Sequence, residues 1–171
     1  MADQNNTISF IKSEYFDLLK YQKICRNQRK RMGKEKFNQL YAYDILIRGQ
    51  MKYKIKNEYI SIIKNYIKGT IDDHTFIEKF VELSDSIDNK WGAFREKVYE
   101  QGPNFMDVQI QLKSKHFSFL TAEVSDLCQF YIWSEDWEEN KDILEEKITP
   151  DKFYQSINKT YVEMQNLLKE E

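Results

Sequence analysis

Residues 59–91 read YISIIKNYIKGTIDDHTFIEKFVELSDSIDNKW, and the fold class follows from this stretch. Tyr59, Ile62, Ile63, Tyr66 and Ile67 recur three and four apart, the spacing of one helical face. Gly69 stands where that helix should stop, because glycine adopts the left-handed C-terminal conformation at little cost. Asp72 follows as a helix N-cap, and Ile71 before it is placed to staple onto Phe76. Asp72 and Asp73 also sit at the positive end of the next helix dipole, where a carboxylate is favourable. A second stripe then runs through Phe76, Phe80, Leu83 and Ile87, and Trp91 extends it. Two helices joined by a short turn are expected here.

The same period continues outward in both directions. Toward the N-terminus, Phe37, Leu40, Tyr41, Asp44 and Ile45 share a face that Arg48 prolongs; Gly49 either interrupts this helix or the helix runs on to Lys68. Before it, Ile8, Ile11, Tyr15, Leu18, Leu19 and Gln22 predict a first helix, capped by Asn6 or Thr7 and broken by Gly33, since glycine inside a helix costs about 1 kcal/mol. Toward the C-terminus, a helix is expected over Ala93–Glu100, ending at Gln101-Gly102-Pro103. Val108, Ile110 and Leu112 alternate with polar residues, but a lone strand has nothing to pair with, so a connector is expected. Phe117, Leu120, Val124, Leu127, Cys128 and Tyr131 form the cleanest stripe of the chain. Thr149-Pro150-Asp151 is a helix start, with Thr as N-cap and Pro at the first position. Phe153, Ile157, Tyr161, Met164 and Leu168 complete the last helix. The expected class is all-α, a compact bundle of about five or six helices. Only 5 Gly and 2 Pro punctuate 171 residues, too few for the turns of an all-β fold.

Charge divides along the chain. From Met1 to Gly69, 11 Lys and 4 Arg face 6 acids, a balance of +9; from Thr70 to Glu171, 11 basic residues face 22 acids, a balance of −11. The net −2 thus conceals two opposite electrostatic surfaces, a pattern that speaks to partners rather than to chemistry. Residues 1–55 are expected to form a basic helical extension, and residues 56–171 the bundle proper. With 41% hydrophobic residues a packed core is available, and a chain of this size buries roughly 70% of its unfolded surface. The N-terminal MADQNNTISF has neither the basic region nor the apolar region of a secretory signal, and no run of about 18 apolar residues predicts a membrane span. Cys25 and Cys128 are expected to be buried thiols of a reducing compartment, the cytoplasm or an organelle interior.

Two segments carry candidate surfaces. In WSEDWEENKDILEEK, residues 133–147, the acids Glu135, Asp136, Glu138, Glu139, Asp142, Glu145 and Glu146 crowd around Trp133 and Trp137. Carboxylates in such a row imitate phosphates and speed capture of a basic partner, and Trp is enriched at binding hot spots. The alternative is a solvated loop with both Trp rings folded inward. The basic segment holds Arg26, Arg29, Lys30, Arg31, Lys34 and Lys36, continuing Lys20 and Lys23. It reads as a solvated face, as an internal match to the acidic half, or as a surface for nucleic acid or an acidic protein, with Tyr41, Tyr43 and Tyr53 as stacking faces.

No constellation for catalysis accompanies them. His74 and His116 are the only histidines, with no HExxH or CxxC spacing to complete a metal site. Glu78 and Glu82, at i and i+4, lack the Glu-x-x-His motif of carboxylate-bridged metal bundles. Gly33, Gly69 and Gly102 are isolated, so no phosphate-cradling loop assembles. Cys128 lies on an apolar stripe, where thiols are inert. No cofactor, no metal and no small-molecule substrate are expected, and no enzyme.

Three segments together carry a resemblance. They are Tyr66-Ile67-Lys68-Gly69-Thr70-Ile71 with Phe76 and Phe80; Val124-Ser125-Asp126-Leu127-Cys128; and Ile148-Thr149-Pro150-Asp151-Lys152-Phe153. In this order, over about residues 59–168, the chain resembles the colicin-D-type, or bacterial self-protective colicin-like, immunity proteins. The resemblance implies a compact antiparallel helical bundle that blocks a nuclease toxin by laying an acidic surface over its basic active site. The expected function is that of a non-enzymatic inhibitor acting through the acidic segment. The alternative is an accessory subunit of a larger ribonucleoprotein or membrane-associated assembly, docked through the basic N-terminal helices.

Overall fold

A computed structural model describes residues 10–106, 110–144 and 146–169. The chain is all-α, with seven helices and no β-sheet among the described residues: α1 (Lys12–Asn27), α2 (Lys34–Lys54), α3 (Lys56–Ile67), α4 (Asp73–Gln101), α5 (Leu112–Glu135), α6 (Trp137–Asn140) and α7 (Pro150–Lys169). A 3₁₀ turn at Pro103–Phe105 follows α4.

The caps expected around residues 66–76 are present. α3 ends in a Schellman motif: Gly69, at φ +68°, donates its N–H to the Tyr66 carbonyl (2.8 Å), and the Thr70 N–H reaches the Asn65 carbonyl (3.0 Å). At the start of α4 the Asp72 carboxylate accepts the Thr75 N–H at 2.8 Å. α7 opens on Pro150, with the Thr149 hydroxyl accepting the Lys152 N–H at 3.3 Å.

Other boundaries differ from expectation. α1 ends at Asn27, well before Gly33. Its stop is a second Schellman motif with Arg29 at φ +54°, in the position glycine normally takes: Arg29 N–H bonds to the Arg26 carbonyl and Lys30 N–H to the Cys25 carbonyl. Gly33 instead precedes α2, its carbonyl accepting the Phe37 N–H. α2 passes through Gly49 and breaks at Ile55. Ala93–Glu100 is not a separate helix, because α4 continues through Gly92 for 29 residues. The first helix begins at Lys12; the expected caps Asn6 and Thr7, together with Ile8 and Val108, lie outside the described residues.

Two compact units divide the chain. One joins the residues up to Lys54 with Ser86–Lys115; the other joins Ile55–Asp85 with His116–Glu171. α4 and α5 each contribute to both. In the first unit, Tyr15, Leu18, Leu19, Leu40, Ile47, Val98 and Met106 form the core, with Tyr43, Trp91 and Phe94 packed against it. The buried stripe of α2 is Leu40, Asp44, Ile47 and Lys52. Phe37 and Tyr41 are not part of it: they are 50% and 55% exposed and stack on each other. Asp44, only 7% exposed, replaces an apolar side chain in this core. It accepts hydrogen bonds from the Tyr15 hydroxyl (2.8 Å) and the Trp91 indole (3.2 Å), and Arg95 lies 3.5 Å away. A buried carboxylate satisfied on every side is tolerated where a lone one is not.

The second unit is built on aromatic packing. Tyr66 stacks on Phe76 (4.6 Å between centroids) and Tyr131 on Phe153 (4.4 Å), while Tyr59 meets Phe80 edge-on at 5.2 Å. Such pairs add about 0.5–1.5 kcal/mol each beyond the area they bury. Ile63, Val124, Ile157 and Met164 fill the space between them, fully buried. Cys25 and Cys128 are free and buried, one in each unit. Burial pushes the Cys128 thiol up to about 12, which keeps it protonated and unreactive.

Candidate partner-binding surfaces

The acidic segment belongs wholly to the second unit and has a definite local structure. α5 carries it in through Trp133, Ser134 and Glu135; a turn at Asp136 leads into the short α6, and an extended stretch returns to α7. Side chains tie the ends together. The Asn140 amide donates to the carbonyls of Trp133 (3.2 Å) and Asp136 (3.1 Å). The buried Ser134 hydroxyl accepts the Ile148 N–H at 2.9 Å, closing the excursion at its base. Leu144 is buried and anchors the middle.

With the backbone tied inward, the carboxylates face solvent. Glu135, Asp136, Glu138, Glu139, Asp142 and Glu146 are all exposed, whereas Trp133 and Trp137 are half-buried. Glu145 lies outside the described residues. Three acids have local partners: Glu135 faces the His74 imidazole Nε2 at 3.2 Å, Glu138 pairs with Lys141 at 3.2 Å, and Glu146 pairs with Lys152. Exposed pairs of this kind contribute little to stability, and the segment keeps an excess of exposed carboxylates over its exposed lysines.

The basic segment belongs to the first unit. Arg26 closes α1, Arg29, Lys30 and Arg31 lie in the connection, and Lys34 and Lys36 open α2; all six are exposed. Met32, half-buried against the core, holds the connection down. Lys36 lies over the Tyr21 ring at 4.0 Å and Lys23 over Tyr99 at 3.6 Å. Arg26 and Lys23 border a cleft of about 310 Å³ between α1 and the second half of α4, with Trp91, Gly92 and Arg95 on the far side. Of the three tyrosines named as stacking faces, only Tyr41 is open; Tyr53 is buried and Tyr43 donates to Glu14 at 2.5 Å.

Folding preserves the charge division almost unchanged. The first unit holds 17 basic and 9 acidic residues, +8, and the second holds 9 basic and 19 acidic, −10. The residues drawn into the first unit from the acidic half, Ser86–Lys115, carry 5 basic and 4 acidic side chains, so they leave its sign unchanged.

Sequence reasoning missed an apolar groove of about 480 Å³ beside the acidic segment, formed where α5, the return stretch and α7 meet. Its one linear signal was Ile143-Leu144, an aliphatic pair set among acids. Among the described residues no group of three or more His, Cys, Asp or Glu side chains is placed to hold a metal ion, and no helix is long and apolar enough to cross a membrane. No family model, no curated protein and no solved structure matches this chain.

Proposed function

We propose that this chain is a non-enzymatic binding protein that captures a basic protein partner through residues 133–146 and acts by covering the partner's surface. One observation carries this reading: a run of exposed carboxylates on a backbone pinned by Asn140, Ser134 and Leu144. A flexible acidic tail would lose ordering entropy on binding; a pinned one presents its charges already arranged. Charge at this density steers encounter and makes association strongly salt-dependent. The residues that resemble colicin-D-type immunity proteins name a partner class, a nuclease toxin whose RNA-binding site is basic. Inhibition then follows from occlusion, with no turnover.

The test is capture of the partner from the source cell, followed by association kinetics. Neutralising Glu135, Asp136, Glu138 and Glu139 as their amides should slow association at low salt about tenfold or more and flatten its salt dependence. Unchanged kinetics would remove this segment from the interface.

A second reading rests on the six exposed cations from Arg26 to Lys36: docking on an acidic surface of a larger assembly. Deleting residues 1–50 would uncover the core that α1 and α2 share with α4, so substitution is the cleaner test. Glutamine at Arg26, Lys30, Arg31 and Lys34 should abolish assembly binding under this reading and leave toxin capture intact under the first.

A further inference from the structure

The groove beside the acidic segment gives the partner a shape as well as a charge. Leu127 and Phe130 of α5, Ile143 and Leu144 of the excursion, and Ile148 just before α7 give it an apolar lining. Ile143 is 66% exposed and Phe130 39%. Scattered exposed aliphatics are ordinary, but large ones gathered on a cleft mark an interaction site. A volume of about 480 Å³ lies within the roughly 300–1,000 Å³ typical of ligand clefts. Of the polar side chains that line it, Glu146 and Lys152 are paired with each other and Ser156 adds a single hydroxyl, against five apolar residues. The surrounding charge is negative: Glu138, Glu139 and Asp142 are all exposed on the same short excursion.

We infer that this groove receives an amphipathic helix of the partner, with apolar side chains one turn apart inserted between Phe130 and Ile143 and Lys or Arg on the flanks facing the carboxylates. The inference rests on the proposed capture of a basic partner and specifies how that partner is held. Charge complementarity selects basic flanks. The choice of a helix follows from the backbone. An extended segment binds well by adding to a sheet edge, which supplies its hydrogen bonds. The described residues of this unit contain no sheet, so an extended peptide entering the groove would bury N–H and C=O groups without partners. A helix satisfies its own backbone and offers side chains at i, i+3, i+4 and i+7 to an apolar slot.

The probe is a labelled 18-residue peptide with Leu at i, i+3, i+4 and i+7 of each repeat and Lys or Arg elsewhere, titrated with the full chain by fluorescence anisotropy. A peptide of identical composition in scrambled order is the control. The intact chain should bind the amphipathic peptide at least about tenfold more tightly than the scrambled one. Ile143→Asp and Phe130→Ser each change a partly open side chain; each should weaken binding about tenfold or more while leaving the slope of affinity against salt unchanged. Circular dichroism of both variants, matching the parent, excludes a folding defect. The Glu138→Gln, Glu139→Gln, Asp142→Asn triple variant should weaken binding at low salt and flatten the slope. Equal binding of the two peptides, or no binding of either at low salt, overturns the proposal, as does parent-like affinity of both groove variants. If the triple variant loses binding while the groove variants do not, the groove is wrong and charge-driven capture stands. If the groove variants lose binding while the triple variant does not, the acidic reading fails and the apolar contact stands alone.

Discussion

Two aspartates show how environment decides what one residue type does. Asp44 sits in a core, and burial raises its carboxyl above the ordinary range, against the opposing influence of Arg95, Tyr15 and Trp91. Asp72 caps α4 at the surface, and the hydrogen bonds from Thr75 hold its carboxyl below that range. Their contributions to stability therefore have opposite pH dependence. A carboxyl with a raised folded pKa contributes stability that is fully present below the unfolded value, near 4, and is lost as pH rises through the raised value. Denaturant titrations should find wild type gaining stability relative to Asp44→Asn as pH falls from 7 toward 4. A constant difference would mean the carboxyl is unshifted. For Asp72→Ala the deficit should be full at pH 7 and close as pH falls through the lowered value of Asp72. At Arg29 the relevant physics is conformational. A left-handed non-glycine residue is strained by roughly 1–2 kcal/mol, and glycine gives back part of that relief as chain entropy. Arg29→Gly should raise stability by about 0.5–1 kcal/mol, read from the urea midpoint; a loss would show that the arginine side chain makes contacts that outweigh the strain.

Among the elements, what was legible in sequence and what was not divides by physical cause. The ends of α3, α4 and α7 were legible because Gly69, Asp72 and Thr149-Pro150 are residue types chosen for those positions. The end of α1 was not, because Arg29 takes a conformation its side chain does not announce. The continuity of α4 was not legible, since nothing in the pattern joined the stripe ending at Trp91 to Ala93–Glu100; at Gly92, inside the helix, an added Cβ would meet nothing within 4 Å. Gly92→Ala should therefore stabilise by about 0.5–1 kcal/mol through helix propensity alone, seen as a higher melting temperature with an unchanged far-ultraviolet spectrum. The expected face of α2 holds at Leu40 and Asp44 but not at Phe37 and Tyr41, and Lys52 occupies a core position that no hydrophobic pattern marks. At the candidate site, the acids were legible because they are contiguous, and their exposure follows from the Asn140 and Ser134 ties. The groove was not, because its lining, spread from Leu127 to Ser156, comes together only when the return stretch folds back between α5 and α7.

At the scale of the whole molecule, charge is sorted by unit, +8 in one and −10 in the other, although each unit is assembled from two separate stretches of chain. Surfaces that act outward independently should show it in a simple way: at low salt and neutral pH the protein should be retained by both cation- and anion-exchange resins despite its net −2. Retention by neither resin would mean that the two sets of charges neutralise each other. The placement of the two free cysteines has a practical consequence. Since Cys25 reports from one unit and Cys128 from the other, the unmodified protein carries its own pair of clocks. Mass-resolved alkylation over time would record how often each half opens, and whether they open in concert or one ahead of the other.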